Sequence, residues 1–558
     1  MRKSTYYALA TLCSAIVVSF SATAVTFEVT TAEEFQAALS AAASNGGDDE
    51  ILLASGSYEG NFKYSAAESY DLSISSNSNS GSVVLDAKDR SIGLLIDGRD
   101  HSFDLVISDL TIVNGYSEGN AGALTIGRVR GNARLSGLLL ENNQASIVVL
   151  VNNVEDLVIE DSRFFSNRTP LLAPSKLIGI EGELDFVRLS KLQVVENIAA
   201  QLIFVDSRKF NLKESKTTLI IEESIFRQNE VGNISSSVYW YMPNESEVVI
   251  RNNSFKKNSA GVIVSNASYY KSHVTFEQNE IKENNCTNGG IAIGGAPRNY
   301  SYKIQVERNY FEKNAGCSVY LSGRENYADA AEIRVANNFF GSAGVELSFD
   351  GDQSKANIEF FNNTRAACDS ALTLRGNLDT SVDVSNNILN CWSDASIKTI
   401  GLLGLAKLRN NFLSGLNGVW DVEEGNDDLD PIFADPTNSD FHLDQKSPAI
   451  DAGSNTAVSA GDLDLDGNNR VLNGTVDIGA YERSTAALHP ADTNGDSSIS
   501  REEFDAYNTA WRRNESWPNP PVSIEADYVT RAGYLLQKGG AYKNIGVGKP
   551  VTWVPLNE

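Results

Sequence analysis

Cationic side chains are in short supply in this 558-residue chain: 46 Lys and Arg stand against 72 Asp and Glu, a formal net charge of −26. That balance argues against a phosphate-binding surface, so nucleic acid is not an expected partner. It also disfavours anionic polysaccharides unless calcium or a local basic stripe intervenes, and it reads first as solubility. Histidine is rarer still. His101, His273, His442 and His489 are scattered, and each reads as a satisfied surface residue. No Cys-x-x-Cys or Cys/His cluster occurs, which excludes a zinc site of that type. Long apolar runs are absent apart from one, from about Ala8 to Phe20, preceded by Arg2 and Lys3 and followed by Ala22-Thr23-Ala24. About 13 apolar residues are too few to span a bilayer. The expectation is an export signal over 1–24, cleaved after Ala24, and a secreted or surface-exposed mature chain with no membrane span. Cys13 lies early in the apolar run, which argues against a lipid anchor.

What the chain has in abundance is a repeated phrase, φ-x-φ-x-x-N-x-φ, where φ is apolar. It reads Val248–Ile250–Asn253–Phe255, then Val274–Phe276–Asn279–Ile281, then Ile304–Val306–Asn309–Phe311. Weaker copies centre on Asn338, Asn363, Asn387 and Asn411, and upstream copies hold Leu110, Leu138, Ser162, Leu192 and Ser224 in the Asn slot. Successive centres are 24–32 residues apart. A self-similar period of that size marks a solenoid, a propeller or an array, and the φ-x-φ alternation makes each copy a strand. Propeller blades are longer, about 40–50 residues, and the leucine-rich consensus is absent, so the expectation is a coiling chain. A second Asn follows many copies, at 143, 167, 197, 229, 258, 284 and 314. Two Asn columns suggest bends, by left-handed backbone or by stacked amide ladders. At the N-terminus, Thr31-Ala-Glu-Glu34 is a capping box before Phe35, Ala38, Leu39 and Ala42 at helical spacing, a cover for the solenoid's open end. Longer spacings mark expected loops at Pro170–Glu183, Asp206–Ser215 and Ser236–Glu245.

The pattern resembles the right-handed parallel β-helix superfamily of pectate lyases and their relatives. Glu50-Ile-Leu-Leu-Ala-Ser-Gly-Ser-Tyr-Glu59 is similar to that group's first coil, and Leu110-Thr-Ile-Val-Asn-Gly115 to its turn. The resemblance covers roughly residues 26–420 and implies an all-β solenoid over 25–420. Cysteines 286 and 317 are 31 residues apart, and 368 and 391 are 23 apart, each about one coil. Neighbouring coils are about 4.8 Å apart, inside the range a disulfide needs, so Cys286–Cys317 and Cys368–Cys391 are the expected pairs.

Residues 421–484 turn rich in Asp, Pro and Gly. Asp430-Pro-Ile-Phe433, Ser447-Pro-Ala-Ile-Asp-Ala-Gly453, Asp462-Leu-Asp-Leu-Asp-Gly467 and Val476-Asp-Ile-Gly-Ala-Tyr-Glu482 together resemble the "choice-of-anchor Q" segment that ends many bacterial β-helix proteins. That resemblance implies a secreted bacterial protein rather than one activity. Residues 485–558 form a small helical module. Phe504, Tyr507 and Trp511 share one helical face, and Ile524, Tyr528, Ala532 and Leu535 another.

The sharpest site motif is Asp492-Thr-Asn-Gly-Asp-Ser-Ser-Ile-Ser-Arg-Glu-Glu503, which matches an EF-hand Ca2+ loop. Asp492, Asn494 and Asp496 stand at positions 1, 3 and 5, the carbonyl of Ser498 at 7, Ser500 at 9 and Glu503 at 12. Ser497 departs from the usual glycine at position 6. Pro490 leaves no room for an entering helix, so the loop resembles a dockerin half-repeat, which implies a cohesin-like partner. A dockerin has two such loops, and the second half of this module lacks one. A weaker second calcium turn is Asp462, Asp464 and Asp466, with no Glu at its position 12.

Catalytic signals are poor. The clustered Asp and Gly-His-Gly of polygalacturonase-type hydrolases are missing, as are the paired Arg, Lys and His of pectate and alginate lyases. One outward column remains: Glu160, Ser190, Glu222, Arg251, Glu277 and Glu307, the residue after the second φ in successive copies. Carboxylates one or two coils apart have the ~5–10 Å spacing that glycosidases use, so Glu222, Glu277, Glu307 and Arg251 are the catalytic candidates. Most such columns are solvated ion-pair ladders. Two readings follow. One is a calcium-binding, surface-displayed scaffold for a glycan or cell-surface partner. The other is a lyase or hydrolase acting on an extracellular polysaccharide.

Overall fold

The computed structural model describes residues 24–556 except 78–81, 90, 173, 208–215, 233–236, 243–244, 260–271, 287–290, 293–301, 316–317, 323–330, 342–343, 350–354, 367–370, 391–395, 402–403, 473, 484–487, 519–522 and 545–551. The expected export signal, save Ala24, and Cys317, Cys368 and Cys391 therefore lie outside the described residues. Cys286 is buried and disulfide-bonded.

The repeated phrase coils into an all-parallel β-solenoid. One sheet of sixteen strands runs from Val25–Val29 to Val422–Glu424, and a second of twelve from Gly56–Glu59 to Thr364–Arg365. A third face holds seven strands, from Phe62–Ser65 to Val238–Tyr241, and then six, from Ile291–Ala292 to Leu416–Asn417. The second φ of each phrase stacks on its counterpart in the next coil, as in Ile221↔Ile250↔Phe276↔Val306↔Val335, all buried. The last φ does the same in the second sheet, where Phe226 and Phe255 lie 4.6 Å apart and nearly parallel. Arg365 ends that second stack fully buried, and burial pulls its guanidinium down to about 10.

The asparagines at the two corners form ladders of amides. Between the first and second sheets the ladder runs 253–279–309–338–363–387–411–426. The backbone N–H and the Nδ2 of each Asn both donate to the Oδ1 of the next, at 2.8–3.1 Å. The second column, 143 to 314, is built alike. Left-handed backbone falls on the residue before each slot, such as Asn252, Gln278, Arg308, Glu283 and Lys313 at φ 53–57°. The slot itself needs asparagine for its amide, and the residue before it bends the chain whatever its type.

Helix α1 (Ala32–Ala42) begins with the Thr31–Glu34 capping box and buries Phe35, Ala38, Leu39 and Ala42 over the first coil. Phe35 packs on Tyr58 and Phe62, with centroids 6.1 and 4.7 Å away. Gln36 exchanges two hydrogen bonds with the Lys63 backbone. Burying Phe35 and Leu39 contributes about 1.5–3 kcal/mol each.

Two of the expected loops contain strands of the third face instead: Lys176–Gly182 within 170–183 and Val238–Tyr241 within 236–245. These strands lack the Asn-centred phrase, so the repeat does not disclose them. Trp240 is buried inside, and Tyr239 stacks on Phe204 at 5.4 Å.

After the last coil the chain turns back along the solenoid's flank as a strap, roughly 430–483. Phe441 packs on Phe339, which stacks on Tyr310, at 4.4 and 4.8 Å. The Ala480 N–H donates to Thr364 Oγ1 and the Gly479 N–H to the Asn386 carbonyl, both at 2.8 Å. Glu312 accepts from Ser439 of the strap and pairs with Lys282 and Lys313. The strap has a charged interior: buried Arg470 donates to the carbonyls of Asp477 and Gly479 and lies 3.1 Å from Glu482. Burial pushes Glu482 up to about 8 and Asp477 up to about 6.

The C-terminal module packs helix α2 (Arg501–Arg512) against α3 (Ala526–Gln537) and a hairpin of Tyr542–Asn544 with Trp553–Pro555. Phe504 and Tyr507 face this core, but Trp511 is 39% exposed. Trp517 instead packs on Tyr507 at 5.0 Å, and Trp553 is buried. The turn after α2 and the closing hairpin bring these two rings into the core, where Trp511 does not reach.

Candidate functional site

The column lines up in register, although Ser190 and Glu222 are buried rather than open to solvent. Ser190, Glu222, Arg251, Glu277 and Glu307 are register partners on consecutive coils. Its charges are engaged. Glu222 is clamped between Arg188, whose Nε donates at 2.7 Å, and Arg251, whose Nε donates at 2.8 Å. Burial raises the Glu222 carboxyl, but the two arginines outweigh it and hold the group below the ordinary carboxylate range. Glu277 accepts from Arg308 at 3.2 Å. Burial holds Glu307 above its ordinary value, opposed by Arg334 at 3.0 Å. Arg334 also binds Glu359 and, from the strap, Asp462 at 2.7 Å. The strap thus reaches the outer face at Glu307 and Arg334, beyond the coils of Glu160 to Glu277.

At the corner beside Glu160, Ser190 and Glu222 lies a groove of about 240 Å³. It crosses three coils and is lined by Asp161, Arg163, Lys191, Gln193, Glu223 and Ile225 over Ser162 and Leu192. Asp161, Lys191 and Glu223 are the left-handed corner residues, at φ 48–53°. The repeated phrase does not mark them, because they precede the slot it defines. The slot's own departure from asparagine at Ser162, Leu192 and Ser224 was the signal that could have drawn attention here.

In the calcium-like loop, Ser500 caps α2 and Glu503 closes the capping box. Glu503 also reaches across the loop, accepting from the N–H groups of Thr493 and Asn494 at 2.9 and 3.2 Å. Burial opposes its ionisation, yet the bonds from Ser500, Thr493 and Asn494 hold its carboxyl below the ordinary value. Asp492 accepts from Gly495, Ser497 and Tyr542, and Asp496 from Ser498 and Asn494. Burial pushes Asp492 up to about 6, and the charges of Asp496 and Glu503 add to the shift. A bridge between Ser498 and Ala541 ties the loop to the final hairpin. Among the described residues no three His, Cys, Asp or Glu side chains converge as a preformed metal cage.

The second acidic turn does not converge. Asp462 goes to Arg334, and buried Asp464 accepts the N–H groups of Asn468 and Glu482. Asp466 binds His442 Nε2, whose Nδ1 faces Asp440. Burial opposes the charge on His442, but Asp466 and Asp440 together push it up to about 9. Folding the strap onto the solenoid sends these three carboxylates in different directions. His489, read from sequence as a surface residue, is buried among Tyr507, Tyr528 and Trp553.

No protein-family model matches the chain, and no curated protein matches it. Among solved structures it is similar to an alginate lyase from Paenibacillus sp. str. FPU-7 at 13% identity and TM-score 0.28, over 55% of this chain and 99% of that one. It is also similar to the PL6-family alginate lyase AlyGC at 10% identity and TM-score 0.19, over 69% of this chain and 92% of that one. No helix among the described residues is long and apolar enough to cross a membrane.

Proposed function

We propose that this chain is a secreted or surface-displayed bacterial β-helix scaffold that binds an extracellular glycan or a cell-surface partner along its solenoid and calcium in its C-terminal module. The observation that carries the reading is the state of the outer column. A Glu222 held ionised and rigid between Arg188 and Arg251 serves a fixed surface better than proton transfer. One observation favours the second reading, a polysaccharide lyase or glycoside hydrolase: Glu277 and Glu307 face outward on adjacent coils, and burial holds Glu307 towards the protonated form. Incubation with a panel of polysaccharides, assayed for new reducing ends and unsaturated products alongside glycan-array binding, separates the two. Binding without products supports the scaffold, and products that vanish in Glu307→Gln support the enzyme.

For calcium, Asp492, Asn494, Asp496, the Ser498 carbonyl, Ser500 and Glu503 supply the hard oxygens such an ion takes. The fit is supported by Asp492, which burial raises and to which the nearby charges of Asp496 and Glu503 add, a crowding that a bound cation would relieve. Glu503 already spans from α2 to the loop and would turn its oxygens from those backbone donors to the ion. Export and the disulfides Cys286–Cys317 and Cys368–Cys391 belong to the same proposal.

A further inference from the structure

The corner groove carries the reading further. Three observations set it apart from the rest of the face. It lies where the corner column holds serine and leucine in place of asparagine: the Leu138 N–H donates to Ser162 Oγ and the Leu192 N–H to Ser224 Oγ, where amides stack elsewhere. Its charges also lack ionic partners among the described residues. On the flanking strands Arg134 pairs with Glu160, and Arg188 and Arg251 with Glu222. Asp161, Arg163, Lys191 and Glu223 form no ion pair among the described residues. Finally, these four sum to zero formal charge in a chain of −26.

We propose that this groove binds a neutral glycan, two adjacent pyranose rings lying along the solenoid axis. The proposal rests on the scaffold reading and names its site and ligand class. Sugar hydroxyls donate and accept at once, and the groove offers both capacities. Asp161 and Glu223 accept, Arg163 and Lys191 donate, and Gln193 does either. Hydrogen bonds to ionised groups are roughly twice as strong as neutral ones. Arg163 lies over the Phe165 ring, 5.0 Å from its centroid, which orients the guanidinium. Ile225, 43% exposed, gives an apolar surface for ring C–H groups. The three coils span about 10 Å, enough for two rings. A uronate polymer would carry its charge into the field of a chain of −26, which a groove of zero net charge does not offset, whereas a neutral ring meets no such repulsion. The volume is below the ~300–1,000 Å³ of enclosed small-molecule pockets, as suits a polymer passing over an open face.

The test uses the full mature chain and titration calorimetry with cellohexaose, xylohexaose, mannohexaose and laminarihexaose, against hexauronates from polygalacturonate and alginate. The variant Asp161→Ala/Lys191→Ala removes one acceptor and one donor without changing net charge, at exposed corner positions. Ile225→Asp is the second variant, and near-ultraviolet circular dichroism checks both for a native fold. Binding of a neutral hexasaccharide is expected to persist in about 0.5 M salt, where exposed charges are screened within a few Å. It should weaken at least tenfold in each variant. Neutral-sugar binding that the variants leave intact overturns the groove while the scaffold reading stands. Binding confined to hexauronates and lost in salt overturns the ligand class. No binding to any sugar overturns the glycan form of both readings.

Discussion

At the scale of single residues, the corner asparagines are the clearest link between sequence and stability. Asn279 accepts two bonds from Asn253, donates two to Asn309, and donates one to the Ile250 carbonyl, all in the interior. Asn279→Ala leaves buried donors of Asn253 without acceptors, each costing about 1–3 kcal/mol. The expected loss is on the order of 3 kcal/mol, read by denaturant unfolding; a loss within error of zero would show that water fills the gap. Glu222 gives a pH signature. Its folded pKa is lowered, so its contribution is present above the ordinary carboxylate value and fades as pH falls through the lower, folded one. Glu222→Gln should therefore flatten the acid side of a melting-temperature profile, and an unchanged profile would mean that the arginine clamp adds nothing.

At the scale of elements, the strap is held by close approach as much as by charge. Gly479 has φ +106°, and a Cβ there would meet Ile388 Cδ1 and Thr364 Oγ1 at 2.7 Å. Gly479→Ala should lift the strap from the coils, seen as faster amide exchange over 476–483 with little change near Asn279. Burial raises Glu312, but Lys282, Ser439 and Lys313 outweigh it and pull it down to about 2. Its hold on the strap is complete above about pH 4.5 and lost towards pH 2. Amide exchange around Ser439 should rise over that window, and Glu312→Gln should raise it already at neutral pH. In the C-terminal module, millimolar calcium should bind the full chain in titration calorimetry and slow exchange along α2, and Glu503→Gln should remove most of both effects. No heat of binding at millimolar calcium would retire the EF-hand reading and its dockerin-like extension.

These elements differ in how far sequence disclosed them. The strands of the first two sheets were legible because φ-x-φ and the Asn slot report burial and a corner in one phrase, and α1 because its capping box and apolar face coincide. Third-face strands such as Val238–Tyr241 were not, since they carry no corner asparagine and their spacing varies. The candidate column was legible as a column, but its engagement was not. Arg188 and Arg334 come from a neighbouring outward row, and Asp462 from about 130 residues downstream. The corner groove depends on which charges lack partners, a property of folded neighbours rather than of a motif.

At the scale of the whole molecule, the two ends of the solenoid are finished differently. Helix α1 covers the first coil, whereas the sixteen-stranded sheet ends at Val422–Glu424, paired among the described residues on one side only, with Leu405–Arg409. Glu423 and Glu424 line that edge, with Asp421, Asp427 and Asp428 beside it, and like charge is a common guard against edge-to-edge pairing. Replacing Glu423 and Glu424 with Gln should promote concentration-dependent association, read by sedimentation velocity; a chain that stays monomeric would show that some other part guards the edge.

The strap also fixes how the molecule bears a mechanical load. A pull on the C-terminal module passes through Arg483, whose guanidinium holds the carbonyls of both Leu443 and Gly495, into a segment lying along the flank of the coils at Tyr310, Phe339, Thr364 and Asn386. The force is then shared in shear across several coils at once. Without the strap it would peel Val422–Glu424 from its neighbour and unwind the solenoid one rung after another.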